Sequence, residues 1–505
     1  MLALLHRLPI FVILMGIGAL AMYLPAAHAL AVREHDVARP FFYTGTLFLF
    51  VSALIGLATA ANAPGHVARN QLLTLLGAFT LLPLMLAIPF NEAVPDTGLF
   101  NSWWEMVSAL TTTGGTLYAP ERLEPSLHLW RATVGWLGGF LMLVMAIAVL
   151  APLRLGGFEV FAGTEIGSSS FFSAARRDGV ADTSVRLGHY VLRLLPVYTG
   201  LTLVLWILLL IAGDPSLVAL CHAMSVLATS GISPIGGVDA APSGFAGEAF
   251  LLVFFLPALS RRFWPGGGEL RASDKLWNDP ELVLAATLVL SVSLLLVLRH
   301  WIATLEVSGA QPAAAFSAFW GALFTALSFL TTTGFDSSAW GEARQWSGLP
   351  TSGLVLAGLA IVGGGVATTT GGVRLLRVYA LLRHGERELQ KMIYPRSVLG
   401  GGAVERHLRR EGAYIAWVFF MLFALAIAVV MGALSLAGLD FEPATILTIA
   451  ALSNTGPLAD LAASVPLSWA ELDTSTKFIL AMTMVLGRLE TLAIVALFNP
   501  EFWRS

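Results

Sequence analysis

The chemistry-bearing residues of this chain are four short polar phrases set in apolar sequence. They are Ala109-Leu110-Thr111-Thr112-Thr113-Gly114-Gly115, Val226-Leu227-Ala228-Thr229-Ser230-Gly231-Ile232, Leu330-Thr331-Thr332-Thr333-Gly334-Phe335 and Ala451-Leu452-Ser453-Asn454-Thr455-Gly456-Pro457. None sets a nucleophile beside a base. What such a stretch can do is ligate a cation, because backbone carbonyl oxygens replace an ion's hydration shell. Glycine reaches the required dihedrals without a Cβ clash. Threonine is stiff at χ1, and its hydroxyl pins the loop or adds an oxygen. The expected ion ligands are Thr112, Thr113 and Gly114; Thr229, Ser230, Gly231 and Ile232; Thr332, Thr333, Gly334 and Phe335; and Asn454, Thr455 and Gly456. One such phrase means little, since Ser, Thr and Gly are common where membrane helices pack. Four, each between a short apolar segment and a longer one, make a shared ion site the stronger reading.

Two further features fall outside the phrases. Gly363, Gly364, Gly365, Gly371 and Gly372, with Thr368, Thr369 and Thr370, interrupt the apolar run that begins near Leu349. So many glycines do not sustain a straight helix. The plainer reading is a kink that lets neighbours pack closely. The functional one is an unwound loop under the phrases that acts as a gate. Arg488 lies in Gly487-Arg488-Leu489-Glu490, about 20 Å into the last apolar span at helical rise. A charge there is costly and marks a functional site by default. Facing a pore it opposes cations and holds the loop through its carbonyls; the alternative is snorkelling to the surface.

The elements that position these residues are membrane helices. Of 505 residues, 56% are hydrophobic and 12% charged, and mean hydropathy is +0.77. Soluble domains carry about twice that share of charge. The fold class expected is an all-α polytopic membrane protein. Residues 1–67 form two additional N-terminal transmembrane helices, the start being read as a retained helix rather than a signal peptide. Four units follow, 68–155, 156–265 with its cytoplasmic lead-in, 266–400 with the broken second helix, and 401–505. The phrase glycines recur about every 110 residues, which implies internal repeats. Each unit reads as long span, short segment, phrase and closing span (M1–pore loop–M2), the second closing near 245–260. The short segments suit helices that enter the membrane and turn back. Their unpaired carbonyls are tolerated only inside protein or along a wet cavity, so the four tips are expected to meet around one pseudo-fourfold pore.

Charge sets the orientation. About 21 of the 29 Lys and Arg fall on one side, which the positive-inside rule makes cytoplasmic. Among them are Arg176, Arg177, Lys275, Arg374, Arg377, Arg396, Arg406 and Arg409. Glu92, Asp96, Asp239, Glu306, Asp336, Asp460, Glu471 and Asp473 lie on the other side, where an acidic rim concentrates cations or simply keeps the loops soluble. Enzyme chemistry finds no support, with no HExxH, no P-loop and no metal-spaced histidines. The one cysteine, Cys221, excludes an internal disulfide and reads as a core residue. No covalent cofactor and no nucleic acid are expected. No run of arginine at every third position marks a voltage sensor.

The chain resembles the TrkH/TrkG membrane subunits of the Trk/Ktr/HKT potassium transporters. The likeness rests on the four phrase glycines and on Trp136-Leu137-Gly138-Gly139, Trp277-Asn278-Asp279-Pro280-Glu281, Gly363–Arg377 and Tyr394-Pro395-Arg396-Ser397-Val398. Gly487–Glu490 and Phe498-Asn499-Pro500-Glu501-Phe502-Trp503-Arg504 add to it. The resemblance implies uptake of K⁺ across a bacterial inner membrane, with Rb⁺ and Na⁺ as congeners. It also implies a homodimer in lipid and a cytoplasmic nucleotide-binding ring partner of the TrkA type. Family members with serine at the first glycine favour Na⁺, so Gly114 points to K⁺. Ser230-Gly231-Ile232 and Arg374 depart from the usual pattern of the family. A sodium- or proton-coupled symporter of the same superfamily is the alternative.

Overall fold

The computed structural model describes residues 9–59, 67–151, 157–158, 183–265, 279–304, 312–347, 353–393, 410–463 and 465–489. Arg176, Arg177, Lys275, Trp277, Asn278, Glu306, 394–398, Arg406, Arg409, Glu490 and 498–504 lie outside the described residues. Every regular element among the described residues is helical. Among the described residues, seven stretches are long and apolar enough to cross a membrane: Ile10–Val32, His35–Thr59, Leu73–Ala93, Pro125–Leu150, Arg186–Ala212, Pro280–Leu298 and Gly412–Leu436.

The N-terminal helices are α1 (Ile10–Ala21), α2 (Tyr23–Val32) and α3 (His35–Thr59). The break at Met22 precedes Pro25, which has no N–H to give the preceding turn. The chain turns at Arg33, in the left-handed region at φ 68°, where Glu34 N–H caps Ala29 O at 2.8 Å. The same proline effect separates α4 (Val67–Thr80) from α5 (Leu82–Ala93), which carries Pro83 in its first turn. The helices α3 and α2 lean on α5 and on α7 (Pro125–Met145), respectively. His28 Nδ1 lies 2.7 Å from Ser126 Oγ, joining the N-terminal layer to the rest.

Four helices lead into the phrases: α6 (Leu99–Leu110), α9 (Ser216–Ala228) and α17 (Phe441–Leu452), of 12, 13 and 12 residues, and the longer α12 (Pro312–Leu330), of 19. A 12-residue helix such as α6 is about 18 Å long, well short of the ~30 Å hydrocarbon core. The remaining helices are α8 (Thr183–Ala212), α10 (Gly244–Phe254), α11 (Pro280–Thr304), α13 (Trp340–Ser347), α14 (Gly353–Val362), α15 (Leu375–Ile393), α16 (Arg410–Leu436), α18 (Leu458–Ala462) and α19 (Thr474–Leu489). Each short helix sits between the long helix before it and a closing helix from another part of the chain. Thus α6 packs on α5 and α19, α9 on α8 and α7, α12 on α11 and α10, and α17 on α16 and α14.

The closing segment expected near 245–260 is not one span. Its helix α10 has 11 residues, and 3₁₀ turns at Leu256–Ala258 and Arg261–Phe263 follow. Pro257 withholds the N–H that a continuing helix needs. The run beginning at Gly353 also breaks, leaving the helix after Val362 and resuming at Leu375. These two breaks meet, since Gly365 N–H donates to the freed Ala258 carbonyl at 3.0 Å.

Buried charges brace the frame. Arg131 on α7 pairs through Nε with Glu105 Oε1 on α6 at 2.6 Å, both almost fully buried. Glu105 Oε2 also accepts Leu117 N–H at 3.0 Å, fixing the return loop of the first phrase. Replacing Arg131 by methionine strands that carboxylate, at an expected cost of about 3–5 kcal/mol. The thermal midpoint of the detergent-solubilised protein is therefore expected to fall sharply, and Glu105→Gln in the same chain to restore part of it.

Candidate functional site

All four phrases leave their short helix through the same backbone turn. Thr112, Thr229, Thr332 and Asn454 have φ 56°, 52°, 56° and 54°. These are left-handed conformations, in which a side chain costs about 1–2 kcal/mol. The residue after each of them donates its N–H five residues back: Thr113 to Ser108 O (2.8 Å), Ser230 to Ser225 O (2.9 Å), Thr333 to Ser328 O (2.9 Å) and Thr455 to Ala450 O (2.8 Å). This is the Schellman pattern, which occupies helix-end carbonyls that would otherwise be unpaired. Gly114, Gly231 and Gly334 then take φ 76°, 65° and 85°.

The phrases touch one another in a closed order. A Cβ on Gly114 would strike the Ser230 carbonyl, and one on Gly231 the Thr333 carbonyl. One on Gly334 would press on the Pro457 ring at 3.1 Å, and one on Gly456 would lie 2.7 Å from Thr113 O. Gly456 N–H closes the circle by donating to Thr113 O at 2.6 Å. Asn454 Nδ2 donates to Thr113 Oγ1 at 3.0 Å and to Met484 O at 2.9 Å. Thr112, Thr113, Thr229, Ser230, Ile232, Thr332, Thr333, Phe335, Asn454 and Thr455 are all buried. Of the residues expected from the phrases, Thr113, Gly114, Ser230, Gly231, Thr333, Gly334, Asn454 and Gly456 are brought into contact across phrases.

Hydroxyl pairs stiffen the turns. Thr111 Oγ1 lies 2.8 Å from Thr113 Oγ1, Thr331 Oγ1 3.1 Å from Thr333 Oγ1, and Ser453 Oγ 3.2 Å from Thr455 Oγ1. In the second phrase Ala228 lacks the hydroxyl, and Ser230 Oγ turns to Ser225 Oγ instead (3.1 Å). Seven residues before the left-handed position stands an anchor for the return loop. It is Glu105 in the first phrase, His222 in the second (Nε2 to Ser233 Oγ, 2.8 Å) and Thr325 in the third (Oγ1 accepting Ser337 N–H, 3.2 Å). The fourth has Leu447 there.

The glycines of the closing helices have a separate task. A Cβ on Gly138 of α7 would collide with Leu110 O, and one on Gly487 of α19 with Leu452 O. Closing helices therefore lie directly against short-helix ends.

The loop from Gly363 to Arg374 is buried and folded on itself. Val373 N–H bonds Ile361 O (2.8 Å), Arg374 N–H bonds Val362 O (2.8 Å) and Leu375 N–H bonds Gly364 O (2.9 Å). Gly363 and Gly364 are required by close approach, since a Cβ would meet Gly371 O and the Thr370 side chain. Thr368 Oγ1 donates to Gly365 O at 2.7 Å and lies 2.8 Å from Thr370 Oγ1. Gly372 and Arg374 take φ 76° and 87°. Arg374 Nη1 bridges Gly365 O (3.0 Å) and Thr370 Oγ1 (3.2 Å). Glu281 Oε1 on α11 accepts Val366 N–H at 2.8 Å and anchors the loop's root.

The loop also reaches the phrases. Thr229 Oγ1 lies 2.9 Å from Thr369 O, Thr369 Oγ1 donates to Leu227 O at 3.2 Å, and Gly371 N–H donates to Thr332 Oγ1 at 2.9 Å. Arg488 is buried rather than snorkelled, and its Nη1 donates to Thr369 O at 2.7 Å. Its Nε and Nη2 have no hydrogen-bond partner among the described residues.

Sequence reasoning missed several residues that hold this arrangement, Glu105, Arg131 and Glu248, and met Glu281 only within a motif of the resemblance. Glu248 is buried on α10 and accepts from Trp320 Nε1 (2.7 Å), Ser337 Oγ (2.6 Å), Ser338 N–H (2.8 Å) and Ser338 Oγ (2.8 Å). Each was signalled as Arg488 was, by a charge inside or at the edge of an apolar run.

Just after the third and fourth phrases, two carboxyls are held above the usual range. Asp336 follows the third phrase and is pushed up to about 7, first by burial and then by the negative charge of Asp239. Asp460 on α18 is pushed up to about 6 by burial.

Known proteins share this architecture. A family model described as TrkH, cation transport protein, matches residues 281–505. The Trk system potassium uptake protein TrkH of Halomonas elongata is 30% identical, the match covering 92% of this chain and 94% of the relative. This chain belongs to the TrkH family. That family is one of transport proteins, not enzymes, and this TrkH-family chain is a multi-pass membrane protein. The TrkH of Vibrio parahaemolyticus serotype O3:K6 is 27% identical over 98% of both chains. A crystal structure of the potassium transporter TrkH from Vibrio parahaemolyticus superposes with a TM-score of 0.78 at 26% identity, over 99% of both chains.

The tight ring makes a direct prediction. Gly231→Ala forces a side chain into a left-handed backbone and against the Thr333 carbonyl, costing about 1–2 kcal/mol from the dihedral alone. Its thermal midpoint is expected to drop, whereas Gly358→Ala, with nothing within 4 Å of its Cβ, is expected to raise it slightly.

Proposed function

We propose that the chain is the ion-translocating subunit of a Trk-type potassium uptake system. The observation that carries this reading is the closed order of contacts among four phrases that share one backbone turn. Four M1–pore loop–M2 units arranged around a pseudo-fourfold axis account for that order and for the cyclic packing of short helices on closing helices. Backbone carbonyls of Thr112–Gly114, Thr229–Ile232, Thr332–Phe335 and Asn454–Gly456 then replace the hydration shell of K⁺. The Thr113 carbonyl accepts Gly456 N–H and keeps a second lone pair for the ion. Small side chains and glycine leave the axis to the carbonyls.

The Gly363–Arg374 loop and Arg488 act as the gate. The loop is pinned directly against the second and third phrases, and Arg488 places a positive charge beside it. Opening requires that Arg488 release Thr369 O, so its contact favours the shut state. The basic loops face the cytoplasm of a bacterial inner membrane, the acidic loops face outward, and the subunit works as a homodimer with a cytoplasmic nucleotide-binding partner. Relatives whose names specify potassium uptake, aligned along nearly the whole chain, support K⁺ as the cargo.

The test is ⁸⁶Rb⁺ uptake into proteoliposomes with K⁺ or Na⁺ as competitor. Uptake that K⁺ suppresses better than Na⁺ is expected; no Rb⁺ or K⁺ flux, with or without the partner, would end the proposal. Arg488→Ala is expected to raise basal uptake by about tenfold or more, in line with loss of a charged hydrogen bond.

External pH gives a second readout. Asp336 and Asp460 are neutral at pH 5 and charged at pH 8, so a rise in external pH adds negative charge at the outer mouth and attracts cations. Uptake at low salt is expected to increase between pH 5 and 8, and Asp336→Asn to flatten the increase. A steep profile unchanged in Asp336→Asn would remove this carboxyl from the mouth.

A further inference from the structure

The four phrases are not held alike. Phrases one and four hold each other, through Gly456 N–H to Thr113 O and Asn454 Nδ2 to Thr113 Oγ1. Phrases two and three are hydrogen-bonded to the loop. Thr229 Oγ1 reaches Thr369 O, sharing its proton with its neighbour Ala228 O (2.7 Å). Thr332 Oγ1 accepts Gly371 N–H. Both hydroxyls belong to the left-handed residue that sets the turn of its phrase. The equivalent Thr112 Oγ1 is buried and has no hydrogen-bond partner among the described residues, and Asn454 bonds Thr113 and Met484 instead. The loop touches the fourth phrase by packing, with Gly371 against Ser453 O.

We infer that Thr229 and Thr332 are positioning residues through which the state of the loop sets the geometry, and hence the ion preference, of half the ring. The inference rests on the reading of the phrases as an ion filter and the loop as its gate. A left-handed threonine is strained, and its hydroxyl bond to the loop is part of what holds the turn. When the loop moves, Thr369 O and Gly371 N–H leave together, because they lie two residues apart on one tight loop. Phrases two and three then lose an anchor, while phrases one and four keep theirs. Carbonyl positions change on one side of the ring only, so a filter that discriminates well with the loop in place discriminates less well without it. Arg488 shares the same acceptor, Thr369 O, with Thr229. A change at Arg488 is therefore transmitted to the second phrase through one carbonyl oxygen.

The test is a double-mutant cycle in proteoliposomes with ⁸⁶Rb⁺ flux and its competition by K⁺ and Na⁺ as readouts. It uses the unaltered chain, Thr332→Val, Arg488→Ala and the double variant, with Thr332→Ser as rescue. Arg488→Ala is expected to raise flux and to lower the K⁺-over-Na⁺ ratio about threefold to tenfold, the range of one or two buried hydrogen bonds. Thr332→Val is expected to do the same, Thr332→Ser to behave as the unaltered chain, and the double variant to go no further than either single change, as coupled sites do. Thr229→Val in the same cycle supplies an independent test if Thr332→Val is not recovered as monodisperse protein. A ratio that stays fixed in Arg488→Ala while flux rises, or effects that multiply in the double variant, would overturn the coupling and leave the filter and gate reading intact. An unaltered chain without Rb⁺ flux would overturn that reading itself.

Discussion

Everything in this structure depends on how four helix ends are satisfied inside the protein. A short helix that stops at membrane depth leaves carbonyls with no water to receive them, and each such group costs several kcal/mol if left alone. Here the left-handed turns at Thr112, Thr229, Thr332 and Asn454 return N–H groups to Ser108, Ser225, Ser328 and Ala450. The strain of non-glycine residues in that conformation is the cost of the solution. It is offset by burial, by the hydroxyl pairs and by contacts that only a closed ring supplies. Once the turns are fixed, the residues that follow have little choice of path, and the four phrases are held in contact.

The loop at Gly363–Arg374 solves the same problem differently. Twelve residues without helix are buried here, and their backbone groups are met by the loop itself, by Ala258 O, by Glu281 and by the phrases. Glycine supplies close approach at Gly363 and Gly364 rather than flexibility as such. A loop so fully bonded has one defined conformation, which suits the proposed gate better than a slack tether would. Its ties to the turn after α10 and to α11 at the root, and to two phrases and Arg488 at the tip, place any motion of α14 or α15 in direct contact with the proposed ion site.

Much of this was legible in the sequence. The short helix α6 ends where its apolar run gives way to Thr111, and the glycine of each phrase marks the ring. The all-helical fold and its long apolar spans follow from composition and run length. The left-handed residue was not legible, because a single-sequence reader looks for glycine at such a turn and finds it two residues later. The serine four residues before that turn in three phrases, and the anchor seven before it, emerge only when the phrases are aligned on their backbone conformation. The second closing segment reads as one apolar stretch, and its break at Phe255 depends on Pro257 and on the loop that docks there. Glu105, Arg131 and Glu248 were visible as charges among apolar residues, but their partners come from distant positions that no local pattern brings together.

The central claim is that the four phrases form one cation site lined by backbone oxygen. It is tested most directly by locating Rb⁺ or Tl⁺ through anomalous scattering in crystals of the protein. The account predicts a peak enclosed by all four phrases, with carbonyl oxygens of the Thr113, Ser230, Thr333 and Thr455 positions nearest to it. A peak held by side-chain carboxylates away from the ring, or no peak among the phrases at saturating ion, would contradict it.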